Sequence, residues 1–466
     1  MLADGLPSRG RRGGRRGGQG GGRRLMAAPW VSSGGGERNG STAEWISDMV
    51  TAIVQNNGEL FSDLIRERER LIPDHEIRSM PETVLSAIPH NKLREAGLLK
   101  GGDSLYKKLL QEFLRLRQLQ ARHPVRWSEV VKQCIALLDI YIDVYVDPNL
   151  ESCGWLVPGL AALCSIMNKA AYAADNSQDE TADFMDDEDV PEDEETQNKY
   201  TKEVLNAIRP KLGKVRGDEE RHGAYIVLLG QSIKRCLQLG NMQMAAGFLK
   251  LCDSKQINFS LVPRGPIVNF RYYLGKLYMQ QEQFEQAEAE LVWAFTHCPE
   301  ANINVRRNIL ECLIPVRLRM GKVPPLELLR KYRMEHYVQI ISSMKTGNVS
   351  SFDKTMEIHE RILINHGTIL CVERIKFIVY RTLMKHVKEW WLKSGLASKP
   401  NIVPIDAFSA ALKWQSDSLF DDDEMACISA NLIRMGYIKG YISWEHMVIV
   451  FSNQNPFPSL RTMRPS

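Results

Sequence analysis

No two of the nine cysteines stand at CxxC spacing, and none begins a CxxH pair, so the sequence carries neither a zinc-ribbon signature nor a disulfide framework. The nearest mixed grouping, His359 with His366 and Cys371, has no second cysteine at ligand spacing. The odd cysteine count and the scatter read as reduced, buried thiols of an intracellular protein. No run reaches the roughly 20 clean apolar residues that cross a bilayer. The best candidate, Gly154 to Ala174, is interrupted by Pro158, Asn168 and Lys169, which argues for a soluble chain without membrane insertion. The N-terminal MLADGLPSRGRRGG lacks the apolar core of a signal peptide.

Catalytic signatures are also missing. The GK pairs at Gly213, Gly275 and Gly321 are followed by Val, Leu and Val, so no hydroxyl is set to hold the magnesium ion of a phosphate loop. Neither HExxH nor GxSxG occurs, and position 363, where a second histidine after His359 and Glu360 would stand, is Leu363. Paired carboxylates at Asp186 to Asp189 and Asp421 to Glu424 lack the glycine turn of a calcium loop. No catalytic residue, metal, cofactor or small-molecule substrate is expected.

What the chain does have is unevenly placed charge. Residues 1–40 carry eight Arg against Asp4 and Glu37, a balance of +6, while residues 175–195 carry twelve acids and no base. The net charge is +4, so the remainder stands at +10, a field that favours a polyanionic or acidic partner. At 466 residues, about three times a typical domain, with 44% apolar residues, the chain can bury a large core.

Residues 1–40, centred on RGRRGGRRGGQGGGRR, cannot bury enough apolar surface to offset chain entropy and read as a disordered Arg/Gly-rich arm. That arm is either an RNA-binding segment or a dispensable extension ahead of Met26. Helical periodicity begins near Ala43, with Ser41 or Thr42 as cap and Trp45, Ile46, Met49, Val50, Ile53 and Val54 as an apolar stripe. Similar stripes run through Leu105, Leu109, Phe113 and Leu116, and through Val130, Cys134, Leu137, Leu138 and Tyr141, giving N-terminal helical repeats over 43–174. Residues 175–198 read as an acidic, disordered loop, either a solvated spacer or a competitor for the chain's own basic surface.

Residues 199–368 resume as tetratricopeptide-like helix hairpins. RYYLGKLYMQQEQFEQAEAELVWAFTHCP, residues 271–299, spaces Leu274, Gly275, Tyr278, Phe284, Ala287, Leu291, Ala294 and Pro299 as that repeat does, with Arg271 in place of its usual Trp. Cys236 to Leu251 resembles a degenerate preceding hairpin.

Residues 369–460 change pattern. One long helix is expected from Ile369 to Leu392, with Val372, Ile375, Val379, Leu383, Val387 and Trp390 on its apolar side. Arg374, Arg381, Lys385 and Lys388 then fall within roughly 60° of one another as a basic ridge. A short strand at Asn401 to Val403, helices from Ile405 to Trp414 and from Asp421 to Met435, and strands at Tyr437 to Ser443 and Met447 to Phe451 follow in the order of a winged helix.

The ridge, with Arg434 and Lys439 near the hairpin, forms the candidate nucleic-acid site. Its contacts are expected to be to phosphate, because the helix that would read bases opens with Asp421, Asp422, Asp423 and Glu424. Alternatively, the ridge is simply a solvated helix face. A second basic group, Arg317, Arg319, Lys322, Arg330, Lys331 and Arg333, brackets Pro324 and Pro325 as a docking groove for an acidic peptide or as a wet surface. Tyr437, Tyr441 and Trp444 are candidate partner anchors, with packing inside the domain as the other reading for the tyrosines.

An all-α-dominated, helical-hairpin solenoid ending in a winged helix resembles the PCI module. LLRKYRMEHYVQIISSMKTGNVSSFDKTMEIHE, from Leu328, and ISANLIRMGYIKGYISWEHMVIVFSNQNPFP, from Ile428, resemble the PCI-domain mRNA-export subunits of transcription-export complex 2. The signalosome-associated twelfth subunit is a close relative of that family. The likeness covers about Gln231 to Leu460, is weaker from Ala43 to Ala174, and is absent from the arm and the acidic loop. It implies a non-enzymatic scaffold, nuclear and near pores with a cytoplasmic fraction allowed, whose winged helix lies beside that of a large PCI-containing export subunit. A small acidic, disordered protein of the proteasome-lid type is the second implied partner, and RNA or DNA backbone is the third. The alternatives are a signalosome-associated scaffold without nucleic-acid binding and a cytoplasmic translation-initiation scaffold.

Overall fold

The computed structural model describes residues 41–66, 74–98, 104–150, 152–182, 198–217, 219–253, 259–396, 399–415 and 421–462. The readings made for residues 1–40 and 183–197 lie outside the described residues.

Ser41 begins the first helix, α1 (Thr42–Val54), through a reciprocal cap. Its hydroxyl accepts from the Glu44 N–H at 3.3 Å, and the Glu44 carboxylate accepts from the Ser41 N–H at 3.0 Å. Of the stripe expected there, Trp45, Ile46, Met49, Val50 and Ile53 are buried, but Val54 points to solvent at the helix end. Short helices α2 (Gly58–Arg66), α3 (Asp74–Arg78) and α4 (Glu82–Glu95) precede the longer α5 (Leu105–Gln120) and α6 (Trp127–Tyr145). Leu109, Phe113, Leu116, Val130, Cys134, Leu137, Leu138 and Tyr141 are buried, as their spacing requires.

The next helices are α7 (Val157–Ala182), α8 (Lys199–Val215) and α9 (His222–Gln238). By length and composition, Gly154–Ser177 passes for a membrane span, yet more than half of it is buried within the protein, against α2, α6, α8 and α9. The interruption at Asn168 is a core contact. Its amide donates to the Gln231 Oε1 at 2.9 Å and its oxygen accepts from Arg235 at 2.6 Å. α7 also corrects the expected loop boundary, because Asp175 to Ala182 are helical. The Asp175 carboxylate accepts from the Tyr200 and Thr201 N–H groups at 2.8 and 3.1 Å and from the Thr201 hydroxyl at 2.7 Å. It thus neutralises the positive end of α8.

α10 (Met242–Asp253) packs on α9, forming the degenerate hairpin, and α11 (Arg264–Gln280) packs on α12 (Phe284–His297), forming the clear one. Gly275 sets the approach of the second pair, since a Cβ there would lie 2.7 Å from the Leu291 Cγ. Arg271, in the usual Trp position, lies 4.3 Å from the Trp293 ring centre and pairs with Glu290 at 3.1 Å. The repeat keeps a flat group against its neighbour by stacking a guanidinium.

α13 (Ile303–Arg319), α14 (Leu326–Lys331), α15 (His336–Thr346) and α16 (Val349–His366) continue the stack. Two hydrophobic clusters, one running from Trp45 to Leu277 and the other from Val268 to Phe451, share α11.

The long helix expected from Ile369 is two, α17 (Ile369–Glu373) and α18 (Lys376–Lys393). At their junction the Ile375 N–H bonds the Val372 carbonyl at 2.8 Å, three residues back, and the tightened turn takes Arg374 out of the phase of α18. The winged helix is completed by β1 (Ile402–Pro404), α19 (Ile405–Gln415), α20 (Asp422–Arg434), β2 (Gly440–Ser443) and β3 (Val448–Phe451). Its strands form one antiparallel sheet in the order β1-β3-β2, with Val403 opposite Ile449 and Tyr441 opposite Val450. Ile449 and Phe451 turn to the core, and Tyr441, opposite Val450, turns outward.

Candidate nucleic-acid and partner surface

The expected ridge is shorter than its helical wheel suggests. Arg374 sits at the α17–α18 junction and pairs with Glu282. Arg381 is a structural residue and not a ridge cation. Its Nε donates to the Tyr437 carbonyl at 3.2 Å, its terminal nitrogen donates to the Pro458 carbonyl at 2.7 Å, and the Phe457 ring lies 5.7 Å away. Burial accordingly holds its pKa below the ordinary arginine value. Lys385 faces solvent with Glu389 at 3.8 Å, and Lys388 lies 5.6 Å from the Phe451 ring. Arg434 and Lys439 are exposed on the same winged helix and make no ion pair among the described residues. Below them Asp421 caps α20, accepting from the Glu424 N–H at 2.7 Å, so the acids at this helix start serve the helix.

The second basic group divides in the same way. Glu288 neutralises two of its members, pairing with Arg317 at 3.0 Å and with Lys322. Arg319 is tucked between aromatic rings, 5.5 Å from Phe284 and 5.2 Å from Tyr437, and burial lowers its pKa. Only Arg330, Lys331 and Arg333, on α14 and the turn after it, remain exposed. Of the aromatic anchors, Tyr437 is 1% exposed and belongs to the core, whereas Tyr441 and Trp444 are 62% and 58% exposed on the hairpin.

The structure brings members of both basic groups to one cleft. About 450 Å³ in volume, it is lined by Glu282, Phe284, Glu285 and Glu288 of the α11–α12 turn and α12, by Arg319, Met320 and Lys322, and by Arg374. The far wall is Arg434, Met435, Tyr437, Leu460 and Arg461. Sequence reasoning missed Arg461 because it follows the last regular element. Gly321 makes the meeting of the walls feasible. Its φ is +72°, and a Cβ there would stand 2.6 Å from the Leu460 Cβ. Trp390, expected in the core, is 58% exposed, and Trp391 packs inward instead, continuing the four-residue steps of Val379, Leu383 and Val387.

A stack of helix hairpins that ends in a three-stranded winged helix defines a PCI-type architecture. Comparison of sequences identifies relatives of that kind. The chain is 32% identical over 243 residues to the PCI domain-containing protein 2 homolog of Dictyostelium discoideum, covering 52% of this chain and 55% of that one. It is 33% identical over 248 residues to PCI domain-containing protein 2 of Xenopus laevis, covering 53% and 60%. It is 27% identical over 327 residues to the protein CSN12 homolog of Mycosarcoma maydis, covering 66% and 71%. The chain thus spans between half and three-fifths of the length of the first two relatives. No protein-family model matches it. In fold and in sequence the chain is thus similar to PCI domain-containing protein 2 and to a CSN12 homolog.

Proposed function

We propose that this PCI protein is a non-enzymatic scaffold of a nuclear, transcription-coupled mRNA-export assembly near the nuclear pore. Its winged helix pairs with that of a large PCI-containing subunit and adds sequence-independent contacts to RNA or DNA phosphate. The observation that carries the reading is the set of free bases on the winged helix. Lys388, Arg434 and Lys439 make no ion pair among the described residues, and Lys385 has only a half-exposed partner. Tyr441 and Trp444 stand exposed on the hairpin beside Lys439 and supply apolar anchors for a neighbouring subunit. Arg330, Lys331 and Arg333 offer an exposed cationic stretch to a small acidic companion.

The match to the CSN12 homolog covers more of both chains than the other two matches do, which favours a second reading, a protein-only signalosome-associated scaffold. Affinity purification of the tagged full chain from nuclear extract separates them. Recovery of a large PCI export subunit with a small acidic protein supports the first, and recovery of signalosome subunits alone supports the second. Fluorescence anisotropy with labelled RNA tests the surface. Lys385→Glu/Lys388→Glu is expected to weaken binding at low salt, and unchanged affinity removes the surface from the reading.

A further inference from the structure

The cleft between the helical stack and the winged helix shares only Arg434 with the surface proposed above, and its chemistry is specific. Among the described residues, the buried Tyr437 hydroxyl and the Arg319 Nε–H of its lining have no acceptor. A buried polar atom without a partner forfeits a hydrogen bond it had in water. A guanidinium only donates, and a phenol donates readily, so an acceptor-rich group would satisfy both. Around them, five cations (Arg319, Lys322, Arg374, Arg434 and Arg461) face three carboxylates, a surplus of two positive charges. Two of the carboxylates are already committed, Glu282 to Arg374 and Glu288 to Lys322. Arg434 and Arg461 are exposed and unpaired among the described residues.

We propose that this cleft binds a small polyphosphorylated anion. Its oxygens would accept from Arg434 and Arg461 on the winged-helix side and face Lys322 and Arg374 on the other, and a small opening of the wall would bring the buried Tyr437 and Arg319 donors within reach. Phosphate is favoured over a lone carboxylate, because cations from four separate segments converge here, more donors than one two-oxygen group accepts. The volume of about 450 Å³ lies in the usual small-ligand range of roughly 300–1,000 Å³ and exceeds the needs of a single phosphate. Its opposite walls belong to the stack and to the winged helix, so a bound anion ties the two together. Ligand binding to the folded state then raises its stability.

The test uses the purified full chain with inorganic tripolyphosphate as probe, by calorimetry and thermal unfolding at fixed ionic strength. Expected are saturable 1:1 binding, a rise of a few degrees in Tm, and weaker binding of inorganic phosphate. Arg434→Glu/Arg461→Glu changes two exposed residues and should lower tripolyphosphate affinity by about tenfold or more without moving the ligand-free Tm. Tyr437→Phe, which removes only the orphan hydroxyl, should lower it several-fold. Lys385→Glu/Lys388→Glu should leave it intact, so cleft binding and nucleic-acid binding fail separately. Absence of saturable binding, full affinity in the Arg434/Arg461 variant, or loss of affinity in the Lys385/Lys388 variant would each overturn the assignment.

Discussion

The Arg319 guanidinium, at the end of α13, lies 5.2 Å from the centre of the Tyr437 ring, so a cation–π contact joins the helical stack to the winged helix. The same guanidinium lies 5.5 Å from Phe284 on its other neighbour. Arg319→Ala removes both contacts and the packing of the side-chain stem. It is expected to destabilise the chain by about 1–2 kcal/mol, measured as a lowered urea midpoint.

Arg381 ties α18 to the turn between α20 and β2 through the Tyr437 carbonyl and to the chain after β3 through the Pro458 carbonyl. Arg381→Ala leaves those acceptors without their donor and should cost about 1–3 kcal/mol in urea unfolding. RNA affinity of the folded fraction should stay unchanged. A drop in affinity without a drop in stability would restore Arg381 to the nucleic-acid surface.

Gly321 has no room for a side chain beside Leu460 and holds a φ of +72°. Gly321→Ala should destabilise the fold by about 1–3 kcal/mol, combining left-handed strain with the clash. Adding Leu460→Gly, which removes the Cβ that the new side chain meets, should return part of that loss, because only the clash is relieved. A strictly additive double variant in thermal unfolding would show that the two residues do not press on each other.

If the winged helix touches single-stranded RNA through Lys385 and Lys388, affinity must fall with salt. Neutralising both lysines should make the slope of log K against log salt shallower by about 0.7 for each phosphate no longer engaged. A weakened but equally salt-dependent complex would point to a change in shape with the same number of phosphates held.

Acid stability should fall in two stages. Burial opposes the charge of Glu311, but the hydrogen bond from the His336 ring at 3.1 Å and the neighbouring charges of His336, His366 and Arg307 hold its carboxyl below the ordinary value. A carboxylate so held binds fewer protons folded than unfolded. Its stabilisation is complete above about pH 4.5 and is lost as pH falls through the lowered value. His366 is held down chiefly by burial, against the pull of Glu311, with Lys276 and Arg307 adding to the effect of burial. Its contribution is complete above about pH 6.5 and is lost below that. Tm measured from pH 7 to 4 should decline first through the histidine range and then below 4.5. His366→Asn should flatten the first stage and Glu311→Gln the second, and parallel curves for variant and wild type would exclude these groups.

Much of the architecture was legible because burial follows period. The stripes of α5 and α6, the repeat positions of Gly275 and Leu291 in the clear hairpin, and the helix and strand order of the winged helix all read directly from spacing. The ridge did not, for two reasons. A helical wheel gives the side on which Arg381 stands, but not that a segment 77 residues later in the chain returns across that side. It also assumes one unbroken helix, and the tightened turn at Ile375 moves Arg374 out of phase. The partial neutralisation of the second basic group was hidden for a similar reason, since Glu288 lies 29 and 34 residues from Arg317 and Lys322.

The polar chain of Asn168, Gln231 and Arg235 has a consequence for assembly of the stack. α7 is apolar over most of its length and could otherwise rotate or slide against α9 at little cost. An amide that donates to one side chain and accepts from another fits only one phase. A one-residue slip would strand all three polar groups in the core, so these residues act as a keyway that fixes how the N-terminal helices mesh with those that follow.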